Sequence, residues 1–195
     1  MKLYYTPNSP YARITRVAAR KSGLIAGIEE IAVVTREAGT GYFEVTPLAR
    51  VPVLVDGDVT LADTRDICAR FDEISEQVRW CPAEDHEARF MRHVVVGFLD
   101  GVAVWLRENG RPDGQRSEPV MRYEEHRARQ VLTWLEPRWA HEQRDFAALA
   151  LACAVAIAVD RGMGVDWHSV APGLKRWAEN RASECAMQET APLPI

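Results

Sequence analysis

After Ser75 the hydrophobic pattern of this chain changes period and does not change back. Before that point short apolar runs alternate with helical ones, the mark of a small layered α/β unit. Lys2–Tyr5 reads as a strand, residues 10–22 as a helix closed by Gly23, and residues 28–34 as a second strand. Residues 53–55 and Val59–Leu61 flank Asp56-Gly57-Asp58, a hairpin signal. Thr64–Ile74 repeats apolar residues at Ile67, Cys68, Phe71 and Ile74, one face of a helix. Beyond Ser75 the patterns are helical throughout: residues 84–108, 119–136, 145–159 and 170–184, punctuated by Pro82, Pro112 and Pro172. The expected fold is α+β, with an α/β domain over residues 1–76 and an all-α helical bundle over residues 84–195. The Ala191-Pro192-Leu193-Pro194-Ile195 tail is expected to be disordered.

Charge and composition exclude several classes of partner. A formal net charge of −4 offers no electrostatic attraction to nucleic acid or to an anionic membrane. The longest apolar stretch, residues 146–159, is too short to span a bilayer and reads as a buried helix. No basic segment followed by a long apolar run opens the chain, so a cytoplasmic location is expected. Cys68, Cys81, Cys153 and Cys185 are widely spaced, and neither they nor the five histidines have metal-ligand spacing. No metal site and a reducing compartment are the corresponding expectations.

Three short motifs in the first domain carry chemistry. In Asn8-Ser9-Pro10-Tyr11 a strand turns into a helix, with Pro in the first helical turn, where a missing N–H costs nothing. The Ser9 hydroxyl then sits among unpaired N–H groups at the positive end of a helix, an environment that favours a thiolate. A Ser in that place is also an ordinary N-cap, and both readings fit the residues. In Arg50-Val51-Pro52-Val53, Pro begins a strand, and a cis bond there would leave the Val51 backbone open to an added extended peptide. In Asp63-Thr64 a carboxylate and a hydroxyl meet a helix N-terminus, which suits an amino-acid zwitterion as well as a cap.

Together these motifs resemble the glutathione S-transferase superfamily, and the resemblance covers nearly the whole chain. The first domain is similar to its thioredoxin-like domain. Gly97-Phe98-Leu99-Asp100, the stretch from Arg111 to Ser117, Leu149-Ala150-Leu151, Asp166-Trp167 and the stretch from Pro172 to Trp177 resemble a bacterial subgroup with a Ser-Pro-Phe/Tyr-x-Arg start. The resemblance implies glutathione as cosubstrate, with no permanently bound cofactor, and a small electrophile as second substrate. It implies a homodimer and a role in detoxification. Val51 would pair with the cysteinyl backbone of glutathione, Asp63 and Thr64 would hold the γ-glutamyl end, and Arg50 would meet the glycyl carboxylate. Ser9 would donate a hydrogen bond to the sulfur as the catalytic residue. Classes with Cys at that position exchange disulfides, which Ser9 cannot do. Asn8 is a further candidate for thiol contact, and Tyr11 and Trp105 for the electrophile pocket. A glutathione-transferase-like binding or regulatory protein with little catalysis is the alternative.

Two departures from the family stand out. Its buried helix usually starts with a Ser/Thr cap and an Asp three residues later, where this chain has Asp145 and Ala148, so only one arm of the cap is expected. The Gly-rich stretch 35–42 is expected to be partly irregular where the family has a helix. Elsewhere, Trp105, Trp134, Trp139, Trp167 and Trp177 read as core. Residues 122–129 read as an exposed helix face with pairs such as Glu125–Arg129.

Overall fold

Helix starts and stops follow local chemistry closely in the computed structural model, which describes residues 1–194 and leaves Ile195 outside. Strand β1 (Lys2–Tyr5) leads through a Pro7-Asn8 turn into helix α1 (Pro10–Lys21), whose N-cap is Ser9. The helix ends at Ser22, and Gly23 follows at φ +69°, a left-handed conformation that glycine adopts without steric cost. Strands β2 (Glu29–Ala32), β3 (Val53–Asp56) and β4 (Val59–Leu61) and helix α2 (Thr64–Ile74) follow. Strand β2 is shorter than the expected 28–34: pairing with β1 ends at Tyr5–Ala32, leaving residues 33–34 outside the ladder. The stretch 35–40 has no regular structure, and Gly41–Glu44 forms a 3-10 turn capped by Thr40.

The four strands lie in the order β2-β1-β3-β4, with β1 parallel to β2 and antiparallel to β3, and β3 antiparallel to β4. Leu3, Leu54, Ile14, Val17, Ile67 and Phe71 are wholly buried in this unit, where α1 and α2 pack together. The element order is the one the hydrophobic periods predict, and the arrangement is the thioredoxin-like one that the resemblance implies. Residues 144–149 and 185–194 also belong to it. The amide of Phe146 donates to the Trp80 carbonyl at 2.7 Å, and a short helix α8 (Cys185–Glu189), absent from the expected elements, packs on α1. Within the tail, residues 191–194 have no regular structure.

The second unit, residues 84–143 and 150–184, is entirely helical. Its long helices α3 (His86–Asn109) and α4 (Glu118–Leu135) pack on each other and bury Phe98, Leu99, Val102, Leu132 and Leu135. Helix α5 (Phe146–Asp160) is buried almost all round, which explains its lack of amphipathic pattern. Asp145 caps it, accepting from the Ala148 amide at 3.0 Å, the single arm expected.

Two expectations fail here. The helix expected over 170–184 starts later, as α7 (Pro172–Ala182), after a separate single turn α6 (Trp167–Val170), because Pro172 has no N–H to continue that turn and Ala171 leaves helical geometry at φ −152°, ψ 60°. Glu136, far away in sequence, caps α7 by accepting from the Gly173 and Leu174 amides at 2.7 and 2.9 Å. The Glu125–Arg129 pair does not form either. Glu125 accepts from the Trp105 indole at 2.9 Å, an unmet donor that outcompetes an exposed ion pair, while Glu124 is buried beside Arg127 at 2.7 Å.

Candidate functional site

The strand register gathers the three motifs at one end of the sheet. Tyr4 pairs with Val53, so the carboxyl end of β1 lies beside the amino end of β3. Leu61 pairs with Leu54, so β4 also finishes at that end. Ser9 follows β1, Val51 and Pro52 precede β3, and Asp63 and Thr64 follow β4. Segments some forty residues apart in sequence therefore come together through three short ladders.

Each motif uses only part of its hydrogen-bonding capacity. The Ser9 oxygen accepts from the Ala12 amide at 3.2 Å, which occupies one lone pair and leaves the hydroxyl proton without an acceptor among the described residues. The side chain is half-buried, Asn8 beside it is exposed in the turn, and Tyr11 lies half-buried in the first turn of α1. The Val51–Pro52 peptide bond is cis. Among the described residues neither the Val51 amide nor its carbonyl has a hydrogen-bond partner. Asp63 Oδ1 accepts from the amides of Arg65 and Asp66 at 2.8 and 3.1 Å, and Oδ2 faces solvent without a partner. Thr64 is buried, its hydroxyl unbonded, at the first position of α2. Arg50 is exposed, and its guanidinium makes no ion pair among the described residues.

Chemically, this end of the sheet presents an O–H donor at a helix start and an open backbone donor and acceptor. It adds a carboxylate oxygen, a second helix start and a cation. The combination suits an extended peptide with an ammonium group and carboxylates. Trp105 lies in the helical unit, buried, with its indole N–H donating to Glu125 at 2.9 Å. No metal-binding cluster of His, Cys, Asp or Glu occurs among the described residues.

Two supporting features escaped the sequence reading. The Tyr42 hydroxyl donates to the Arg50 carbonyl at 2.9 Å and so holds the chain just before Val51. Burial and the neighbouring Tyr4 ring push its pKa up to about 12. On α1, Arg16 and Arg20 converge on Glu30 of β2 at 2.7 and 2.8 Å, and Arg16 also lies 4.1 Å over the Tyr5 ring. Burial opposes ionisation of Glu30, but hydrogen bonds from Arg20 and Arg16 outweigh it and bring the carboxyl to about 2. The spacing of Arg13, Arg16 and Arg20 at three and four residues was the available signal, since it marks one helix face.

Known proteins resemble this chain over nearly its full length. Residues 3–79 match the family described as glutathione S-transferase, N-terminal domain. The "Uncharacterized GST-like protein YibF" of Escherichia coli (strain K12) is 26% identical over 201 residues, with 98% of each chain covered. A glutathione S-transferase from Methylobacillus flagellatus, solved with glutathione bound, superposes with a TM-score of 0.82 at 25% identity, covering 98% of this chain and 99% of the other. A glutathione transferase family member from Pseudomonas fluorescens Pf-5, with bound glutathione, gives 0.84 at 23% identity, covering 100% and 99%. Residues 3–79 thus resemble a glutathione S-transferase N-terminal domain, and the chain's whole length has the glutathione S-transferase fold.

Proposed function

We propose that the protein is a glutathione S-transferase that binds reduced glutathione at this end of the sheet and presents its sulfur, as a thiolate, to an electrophilic small molecule. One observation carries the reading most: Ser9, Val51 and Asp63-Thr64 share one sheet end, and each keeps an unused donor or acceptor there. The Val51 amide and carbonyl pair with the cysteinyl backbone. Asp63 Oδ2 takes the γ-glutamyl ammonium, and the Thr64 hydroxyl with its neighbouring amides takes the carboxylate. Arg50 meets the glycyl carboxylate. Ser9 donates to the sulfur, with Asn8 and Tyr11 beside it. The glutathione seen with the Methylobacillus and Pseudomonas proteins supports the choice of ligand.

Catalysis here prepares a nucleophile. A free thiol titrates near ~8.5, and a hydroxyl donor at a helix N-terminus lowers that value. Three of the chain's four thiols are poorly placed to act instead. Cys68 and Cys153 are buried, and Cys185 donates to Glu189 at 2.9 Å, which raises its pKa. Conjugation, with Ser in the place that Cys takes in disulfide-exchanging classes, fits this inventory. The protein acts in the cytoplasm, in detoxification, as a homodimer of the bacterial Ser-Pro-Phe/Tyr-x-Arg subgroup. A dimer gives the exposed Phe43, Leu48, Phe90 and Tyr123 something to bury against, and sedimentation equilibrium tests it.

Calorimetric titration with reduced glutathione, joined to a conjugation assay on a chlorinated nitrobenzene, tests the site in wild type and Ser9→Ala. Saturable binding and a large loss of turnover in Ser9→Ala are expected. Absence of binding at millimolar glutathione would sink the assignment. Binding without turnover in the wild type would leave a binding or regulatory protein. Unchanged turnover in Ser9→Ala would pass the sulfur contact to Asn8 or to backbone amides.

A further inference from the structure

Tyr42 is fixed by its own backbone and commits its hydroxyl to a single carbonyl. Its amide donates to the Thr40 hydroxyl oxygen at 3.3 Å, and its carbonyl accepts from the Val45 and Thr46 amides at 3.0 and 3.3 Å. The side chain, 5% exposed, lies in one apolar cluster with Ala49 and Val53, and the Tyr4 ring is tilted against it with centroids 5.6 Å apart. From that fixed position the hydroxyl donates to the Arg50 carbonyl at 2.9 Å. Burial, with Tyr4 beside it, keeps the phenol protonated far above neutral pH, so it remains a donor under ordinary assay conditions.

The Arg50 carbonyl belongs to the same peptide unit as the Val51 N–H. That unit is trans, so its oxygen and its N–H point opposite ways within one plane. Holding the oxygen on Tyr42 therefore turns the Val51 N–H away from Tyr42, and that N–H has no partner among the described residues. The Val51 side chain packs on the same cluster. Just upstream, Ala49 has φ +43°, in the left-handed region that a residue with a Cβ seldom adopts. Such a bend persists only where its surroundings fix it. Here the methyl is buried in the cluster and the Ala49 amide donates to the Thr46 carbonyl at 3.2 Å. The fixed bend stands one residue before the Arg50–Val51 plane.

Resting on the glutathione reading above, we propose that Tyr42 is a positioning residue for glutathione: through the Arg50 carbonyl it orients the Val51 N–H that donates to the cysteinyl carbonyl of the ligand. A peptide plane already held at its oxygen loses less freedom when a ligand bonds to its nitrogen. The bond to Tyr42 also polarises the unit, which strengthens the N–H as a donor. The role is confined to binding, because the plane meets the ligand's backbone and not its sulfur. Thiol titration and the chemical step stay with Ser9. The net contribution of one ordinary hydrogen bond corresponds to a factor of roughly two to ten in affinity.

The test compares wild type with Tyr42→Phe, which keeps the ring and removes the hydroxyl, with a thermal melt of each. The calorimetric Kd for reduced glutathione, and its KM in the chlorinated nitrobenzene assay, should both rise about fivefold. The kcat and the titration of the bound thiol should stay at their wild-type values. A merely structural role would lower the melting temperature and leave Kd and KM in place, which overturns the proposal. A fall in kcat with KM unchanged overturns it too. A second ligand, glutathione with an alkene in place of the cysteinyl–glycyl amide, lacks the carbonyl that the Val51 N–H would meet. This analogue should bind wild type more weakly than glutathione does, and should bind Tyr42→Phe and wild type alike. An analogue weakened by Tyr42→Phe as much as glutathione is overturns the proposal, since Tyr42 would then act elsewhere. A wild type that binds both ligands equally overturns it with no variant needed. Absence of glutathione binding to the wild type removes the site itself, whereas binding that Tyr42→Phe leaves unchanged removes only the role of Tyr42.

Discussion

Replacing Glu30 by Gln tests whether the arginine pairs behind the sheet hold the first unit together. The carboxylate accepts from Arg16 Nε at 2.7 Å and from Arg20 at 2.8 and 3.0 Å, and its side chain is 17% exposed. Its carboxyl titrates at about 2 when folded, against an ordinary 4.5. Taken whole, that difference corresponds to about 3.4 kcal/mol of stability at neutral pH. Solvent reaches part of the group, and screening brings the expected contribution to about 2 kcal/mol. Because the folded value is depressed, this stability is complete above pH 4.5 and is lost as pH falls through about 2.

Glu30→Gln keeps the shape, removes the charge and leaves the buried Arg16 without a carboxylate, whereas Arg20 retains Glu189. Urea unfolding at several pH values between 7 and 2.5 reads the result. At neutral pH the variant should lose about 2 kcal/mol, or roughly 4–8 °C in melting temperature for a chain of this size. The gap between wild type and variant should close as the pH approaches the folded value. Two curves that stay parallel down to pH 2.5, or a neutral-pH loss under ~0.5 kcal/mol, would refute the reasoning, since exposed ion pairs contribute no more than that.

Among the five tyrosines, Tyr42 should be late to ionise in an alkaline absorbance titration, near 12, and Tyr42→Phe should remove that step. The folded state holds this proton more tightly than the unfolded chain, so the contribution to stability falls as pH rises from about 10 through 12. Asp63→Asn keeps an acceptor for the Arg65 and Asp66 amides but removes the charge, so it should weaken glutathione about tenfold by calorimetry with little change in melting temperature. Asp63→Ala should lose the same affinity and also about 1 kcal/mol of stability. Ser9→Asp retains a cap at the start of α1 while placing a negative charge beside the sulfur, so melting should hold and the bound thiol should titrate higher than in wild type. Gly23→Ala meets both a φ of +69° and the Gln77 amide, 2.6 Å from the added Cβ, and chemical denaturation should show a loss of about 1 kcal/mol or more.

Local signals carried most of the fold. Pro10 with Ser9, Gly23, Asp56-Gly57-Asp58 and Asp63 each mark an element boundary through a nearest-neighbour preference, and β1, β4 and α2 stand where those signals put them. The motifs themselves were legible for the same reason. What the sequence did not disclose lies in long-range partnership. The caps of α7 by Glu136 and of Trp105 by Glu125 join residues 37 and 20 positions apart, and no periodicity encodes such a bond. The division of the α1 arginines into two neutralised and one not depends on where Glu30 and Glu189 arrive. Tyr42 looked like part of an irregular Gly-rich stretch until its hydroxyl was found on the Arg50 carbonyl.

The ordinary and the functional readings of Ser9 and Asp63 do not compete, because they use different atoms. An N-cap needs one acceptor lone pair. Ser9 gives a lone pair to Ala12 and keeps a proton to donate; Asp63 gives Oδ1 to two amides and keeps Oδ2. The capping bond also fixes the rotamer of each side chain, so the remaining atom is held in place before any ligand arrives, and less side-chain entropy is lost on binding. The sheet adds the third element of this economy. Since β1 and β4 finish, and β3 begins, at one end, two capped helix starts and one open backbone segment face the same region. Their separation is therefore set by strand spacing, ~4.8 Å between neighbours, and not by flexible loops. The glutathione proposed above suits these groups because it is extended and polar along its backbone, with an ammonium at one end and a sulfur near the middle.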